Sequence, residues 1–117
     1  MVVQAENDDG DLAEMRDGVL AGIGLAPSHG AEALGRVSFS TVDDLCGDQF
    51  LRELPRLLDE AKPDVLWIDP LLSFIGGDVS RQEVVSPFLR NGLNPLLHRH
   101  QCVGIIVHHT NKTPSGS

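Results

Sequence analysis

The hydrophobic pattern of this chain combines short, continuous apolar runs with longer stretches that place apolar residues at helical spacing. The central run, residues 65–68, is apolar throughout, is β-branched at both ends, and stops at Asp69 and Pro70. Such a run predicts a strand buried on both faces, as in a parallel sheet covered by helices. Because Pro70 has no N–H to donate to a neighbouring strand, we expect the strand to end at Asp69.

Three more strands follow from the same kind of pattern. Apolar runs predict strands at residues 2–5 and 103–107, and alternation of apolar and polar residues predicts a short edge strand at residues 37–39. Between the strands at residues 2–5 and 37–39, a helix is predicted to start after a cap at Asp9 or Asp11 and to end near Gly24. A loop over residues 24–35 should follow it. That helix should bury one apolar stripe: Leu12, Met15, Val19 and Ile23.

The second half of the chain carries two more helical regions. Asp48 is expected to cap a helix that runs to about Lys62 despite Pro55, with an apolar stripe of Phe50, Leu51, Leu54, Leu57, Leu58 and Ala61. Ser80 and Glu83 have capping-box spacing at the start of the next region, which Pro87 and Pro95 should break or kink. The resulting alternation of strands and helices predicts an α/β fold, a three-layer α/β/α arrangement around a mostly parallel sheet.

Composition narrows the class of protein without identifying it. The 117 residues suffice for one small domain with a real core, and the net charge of −8 argues against a surface that is basic overall. No apolar run approaches the roughly 18 residues that span a bilayer, and the start lacks a signal-peptide pattern, so we expect a cytoplasmic protein without a membrane partner. Cys46 and Cys102 show no metal or redox spacing and are interpreted as reduced thiols.

Polar, chemically capable residues follow three of the predicted strands. Glu6 follows the first strand, Asp69 ends the central one, and His108, His109 and Lys112 follow the last. The carboxyl ends of parallel strands share one edge of a sheet, and open α/β sheets bind their ligands there. A carboxylate that orients water, a carboxylate that holds Mg²⁺ and donors near a terminal phosphate are what nucleotide hydrolysis requires.

The segments around these residues resemble motifs of a known family. VLWIDPL is similar to a Walker B strand, GIIVHHTNK resembles the last strand and sensor segment of RecA-like P-loop ATPases, and VVQAEND resembles their strand ending in Ala-Glu. The likeness is nearest to the RepA-type branch, which includes hexameric plasmid replication helicases. It implies a partial RecA-like fold with ATP and Mg²⁺ as ligands.

The same resemblance assigns expected roles to individual residues. Glu6 would polarise the attacking water, and Asp69 would hold Mg²⁺ through water. His108 or His109 would sense the terminal phosphate, with no basis for choosing between them. Lys112 would reach a phosphate or a neighbouring subunit.

One part of the family pattern is missing from the sequence. The phosphate-binding loop G-x-x-x-x-G-K-[ST] is absent, and Gly76-Gly77-Asp78 matches neither its lysine nor its spacing. We therefore expect an internal fragment of a longer ATPase or a truncated gene product, with residues 1–112 as a partial core and 113–117 as a flexible tail. Such a chain should be nearly inert towards ATP and contact nucleic acid only through an intact ATPase. It should self-associate through the strand at 103–107. In the family, this strand lies beside the strand that carries the phosphate-binding loop, so its outer edge would be unpaired here.

Two other functions remain open on the sequence. The first is a metal-dependent hydrolase that uses Asp69 with His98, His100, His108 and His109, although no pair has H-x-x-x-H spacing. The second is an α/β interaction module without catalytic activity, which the absent phosphate-binding loop favours.

Overall fold

The computed structural model describes residues 1–109 of the chain. The four strands are β1 (Val2–Gln4), β2 (Phe39–Thr41), β3 (Val65–Asp69) and β4 (Val103–Ile106). The six α-helices are α1 (Asp9–Ile23), α2 (Pro27–Leu34), α3 (Gly47–Ala61), α4 (Leu71–Ile75), α5 (Gln82–Ser86) and α6 (Asn94–Arg99), and a π-helical segment, Pro87–Leu93, joins α5 to α6. Lys112 and the predicted boundary between core and tail at residues 112 and 113 lie outside the described residues.

The strands form one sheet in the order β2-β1-β3-β4, and every pair is parallel. The register sets Val2 beside both Phe39 and Trp67, and sets Trp67 beside Ile105. The α/β class and the parallel sheet are therefore confirmed, and the helices are consistent with a three-layer α/β/α arrangement.

The hydrophobic core lies between one face of the sheet and α3. This helix is amphipathic as predicted, and its buried residues Phe50, Leu54 and Leu58 recur every four positions. They belong to one buried cluster with Leu66 and Ile68 of β3, which are fully buried. Pro55 lies inside α3 without ending it. The predicted apolar stripe therefore contains the face of α3 that is buried against the sheet.

The opposite face of the sheet is apolar but partly exposed. Val65 and Trp67 are each 40 % exposed, as is Ile105, and Val103 is 63 % exposed. The prediction that the central strand is buried on both faces was therefore wrong, because only its alternate residues pack against helices in the described part of the chain. A continuous apolar run does not by itself distinguish two covered faces from one.

The segment between β1 and β2 departs furthest from expectation. Helix α1 forms over the predicted range, but none of its residues is buried, and Met15, Val19 and Ile23 are all more than half exposed. The predicted buried stripe was wrong because the spacing of apolar residues specifies a face but not the surface that it meets. Residues 27–34, predicted as loop, form α2, which has Pro27 in its first turn, where a missing N–H costs no helical hydrogen bond.

Three predicted helix caps were also wrong. Asp8, rather than Asp9 or Asp11, caps α1, and Asp11 completes a reciprocal capping box with it. The cap position of α3 is Cys46, which places Asp48 in the first turn. Ser80 does not cap a helix but donates to Asp78, with the Oγ to Oδ1 distance 2.7 Å. Short acidic and hydroxyl-rich segments offer several capping partners, and the sequence does not say which one the backbone selects.

Pro87 and Pro95 were predicted to break or kink a helix, and the structure shows a change of helix type at these prolines. Helix α5 ends at Ser86, the π-helical segment begins at Pro87, and Pro95 lies in the first turn of α6. Because α5, the π-helical segment and α6 follow one another without a gap, each proline removes one helical N–H donor but does not end the helical run. None of the helices within residues 1–109 combines the length and apolarity needed to cross a membrane.

Candidate active site

The carboxyl edge of the sheet brings two of the predicted carboxylates together. Gln4 at the end of β1 is in register with Asp69 at the end of β3. Glu6 follows Gln4 by two residues and is exposed. Because the two strands are neighbours and parallel, Glu6 and Asp69 project from the same edge rather than from opposite ones.

Asp69 occupies the junction between β3 and α4. The Asp69–Pro70 peptide bond is cis, and the Leu71 N–H donates to the Val107 carbonyl at 2.8 Å, which joins the start of α4 to the end of β4. The core side of α4 buries Leu71 and Phe74. Asp69 is therefore held by a buried helix behind it while its own side chain remains 42 % exposed.

His109 is the predicted histidine nearest to Asp69. Its Nε2 lies 3.9 Å from the Asp69 Oδ1, which is within ion-pair range for a protonated ring and longer than a hydrogen bond. Both His108 and His109 are exposed just past the end of β4. The structure thus brings one carboxylate and one imidazole together at this edge.

A cleft of about 380 Å³ lies beside the histidine pair. Its lining is Leu72, Asp78, Val79, Ser80, His108 and His109. The Ser80 hydroxyl and the Ser80 N–H both donate to Asp78, and these hydrogen bonds hold the pKa of that carboxyl below its ordinary value. Glu6 and Asp69 are not part of this lining.

Gln4 is a polar residue of this edge that the sequence interpretation missed. It is 3 % exposed, and its carboxamide makes three hydrogen bonds: two with the backbone of Asn7 and one with the Thr41 hydroxyl. A glutamine following two valines was the available signal, since a buried amide must find hydrogen-bond partners.

The donor set at this edge fits Mg²⁺. Asp69 offers a carboxylate that accepts no hydrogen bond from any described residue and has no lysine or arginine within ion-pair distance in that part of the chain. Mg²⁺ is commonly held by one or two carboxylates together with waters and substrate phosphates. Asp69 would hold the ion, and Glu6, which follows the neighbouring strand at the same edge, is exposed enough to contact a water.

The remaining histidines do not join this edge. His98 lies on α6 and His100 at its end, before β4 begins, so β4 separates them from His108 and His109. His100 Nδ1 lies 3.5 Å from Asp59 Oδ1 on α3 instead. Among residues 1–109, no group of three or more His, Cys, Asp or Glu side chains is close enough to hold a metal without other ligands. The five residues suggested for a metal-dependent hydrolase are therefore not brought together.

Comparison with known proteins supplies the family. No curated protein matches the chain at a significant level. A model of the AAA domain family, an ATPase-type family, matches residues 1–115, nearly the whole chain. The parallel sheet and the acidic residues at its carboxyl edge agree with this match. The chain belongs to the AAA domain family.

Proposed function

We propose that the carboxyl edge formed by Glu6, Asp69 and His109 is the hydrolytic half of an ATPase site. The observation that carries the proposal is the alignment of β1 with β3, which places Glu6 and Asp69 on one edge, with His109 3.9 Å from Asp69. Mg²⁺ held at Asp69 would neutralise negative charge on the nucleotide phosphates.

Each residue then has one task at a stated group. The Asp69 carboxylate would bind waters of the ion, and the Glu6 carboxylate would accept a hydrogen bond from the attacking water and orient it. The imidazole of His109, or that of His108 beside it, would donate to an oxygen of the terminal phosphate. Lys112 would supply a further positive charge to a phosphate or to a neighbouring subunit.

Of the components of an ATPase site, this chain lacks those that provide most of the affinity for phosphate. Backbone amides of a glycine-rich loop and its lysine provide most of it in such sites, and neither motif occurs in the sequence. We therefore propose that the chain alone binds Mg²⁺-ATP no better than about millimolar and is nearly inactive. The motifs support a RepA-type ATPase of DNA replication or mobile elements, located in the cytoplasm.

Paramagnetic broadening tests the site at such weak affinity. Mn²⁺ with ATP should broaden the amide signals of residues near Asp69 and Glu6, and Asp69→Asn should abolish that broadening at the same concentrations. Asp64→Asn is the matched control, since Asp64 precedes the other end of the same strand. Broadening that survives Asp69→Asn, or that centres on Asp64, would refute the proposed site. Calorimetry showing micromolar affinity would overturn the weak-binding part and indicate an unrecognised phosphate loop.

Hydrolysis can be tested where a phosphate-binding loop is joined to this chain. In such a protein, Glu6→Gln and Asp69→Ala should each lower the turnover number at least ~100-fold, the usual scale for removing a positioned catalytic group. Near-normal turnover in either variant would remove that residue from the mechanism.

We also propose that the chain self-associates through β4. This strand ends the sheet on one side, no described strand pairs with its outer edge, and its sequence VGII contains neither charge nor proline to protect that edge. Sedimentation at tens of micromolar should show a dimer or larger species that Val103→Lys dissociates. Val37→Lys, at an exposed position near β2 on the other side of the sheet, should leave association unchanged. A wild-type monomer, or equal effects of the two substitutions, would refute pairing through β4.

A further inference from the structure

Gln4 is the only buried polar residue in the part of the chain that the structure describes. It ends β1, and its register partners are Thr41 on one side and Asp69 on the other. The preceding residue on the same face, Val2, lies between Phe39 and Trp67, so this face is apolar up to the last row. The burial of a polar residue in the last register row, at the carboxyl end of β1, therefore needs an explanation in its local contacts.

The hydrogen bonds of Gln4 show what its amide does. The Asn7 N–H donates to the Gln4 Oε1 at 2.8 Å, and the Gln4 Nε2 donates to the Asn7 carbonyl at 2.9 Å. The same Nε2 donates to the Thr41 Oγ1 at 2.7 Å. Both amide hydrogens and the amide oxygen are therefore used. The orientation of the amide follows from this network, because the Asn7 N–H needs an acceptor and the Asn7 carbonyl needs a donor.

The two bonds to Asn7 close a ring around the turn that carries Glu6. Gln4 and Asn7 are three residues apart, and only Ala5 and Glu6 lie between them. On the other side of Asn7, Asp8 is fixed as the cap of α1 by its reciprocal bonds with Asp11. The backbone on both sides of Glu6 is thus held, while the Glu6 side chain itself stays exposed.

We infer that Gln4 is a positioning residue for Glu6, and that Thr41 fixes the Gln4 amide from β2. This inference rests on the proposed role of Glu6 as the residue that orients water. A catalytic carboxylate in an exposed turn needs its backbone held, because small displacements of a reacting group reduce its contribution steeply. Gln4 meets that need without touching the water or the metal.

Amide hydrogen exchange and backbone relaxation in the full chain test the ring directly. Gln4→Met keeps length and apolar volume but removes all three hydrogen bonds. It should raise the exchange rate of the Asn7 amide about 10-fold or more, and make the Glu6 amide mobile on the nanosecond scale. Thr41→Val should give a smaller change in the same two residues, and Thr41→Ser, which retains the hydroxyl, should restore wild-type behaviour. Amides of Ile68 and Phe50 report whether the core is intact in each variant.

A second measurement connects the ring to the site. With Mn²⁺ and ATP, Gln4→Met should alter the broadening at Glu6 while leaving the broadening at Asp69 unchanged. An unchanged exchange rate of the Asn7 amide in Gln4→Met would overturn the inference. Faster exchange of that amide together with unaltered backbone relaxation at Glu6 would also overturn it. If Mn²⁺ broadens nothing in the wild type, the proposed ATPase site fails, and the relaxation of Glu6 alone then decides whether Gln4 positions it. If Gln4→Met does not fold, Thr41→Val with its Thr41→Ser control decides.

Discussion

Replacing Phe50 with alanine should remove a large part of the stability of this domain. Phe50 is fully buried on α3, with its ring 4.6 Å from that of Phe74 on α4 and 6.3 Å from that of Phe88 in the π-helical segment, measured between centroids. It therefore joins three helical elements through one side chain. One of them, α4, begins two residues after Asp69.

The size of the effect follows from burial. Truncating a buried phenylalanine to alanine costs about 3–5 kcal/mol, and losing two aromatic pairs puts this site at the upper end of that range. Small domains have free energies of unfolding of about 5–15 kcal/mol, so Phe50→Ala should remove a third or more. Phe50→Leu keeps most of the volume and should cost about 1.5 kcal/mol or somewhat more.

Urea denaturation with a matched control measures this difference. Phe39→Ala removes the same side chain from the exposed face of the sheet, where Phe39 is 47 % exposed, and should cost about 1 kcal/mol. With a urea slope of about 1–3 kcal/mol per molar, the Phe50→Ala midpoint should fall well below that of Phe39→Ala. Equal midpoints for the two alanine variants would show that the helical layer is not packed around Phe50.

Two further predictions concern titrating and reactive groups. Cys46 is exposed and Cys102 buried, so a thiol reagent should modify one cysteine rapidly and the second only on unfolding; two equally fast thiols would contradict this. Burial raises the pKa of the Cys102 thiol above its ordinary 9.0, so its contribution to stability is complete below that value and lost as pH rises through the higher folded-state pKa. The free energy of unfolding should therefore fall more steeply above about pH 9 in the wild type than in Cys102→Ala. Ser80→Ala should move the pKa of Asp78 up towards 3.8 in an NMR titration, since the Ser80 hydroxyl is the main cause of its depression; an unmoved pKa would contradict that cause.

The strands other than β2 were predictable because their signals are local, whereas β2 spans Phe39–Thr41 and not the predicted residues 37–39. The run ending in Asp69 and Pro70 encodes both a strand and its end, and β3 stops at Asp69 as expected. The parallel arrangement followed from the alternation of strands and helices, since parallel strands need long crossovers. These two inferences are enough to place Glu6 and Asp69 on one edge of the sheet from the sequence alone.

The sequence could not specify which surfaces meet. Apolar residues at helical spacing in α1 predict an amphipathic helix, yet Met15, Val19 and Ile23 remain exposed in the described structure. The same holds for the second face of the sheet, where Val65 and Trp67 match a buried pattern and are partly exposed. Periodicity is a property of one element, whereas burial depends on a partner that the pattern does not identify.

The order of the strands gives the candidate site its geometry. Because β1 lies between β2 and β3, the residue at its end has one neighbour that can brace it and one that can take part in chemistry: Thr41 and Asp69. Gln4 directs its amide towards Thr41 and Asn7, which leaves the Asp69 carboxylate without a hydrogen bond from it. An aspartate in place of Gln4 would compete with Asp69 for a cation, and an arginine there would neutralise the Asp69 carboxylate. A neutral amide can hold the Glu6 turn and still leave the carboxylate beside it available for a cation.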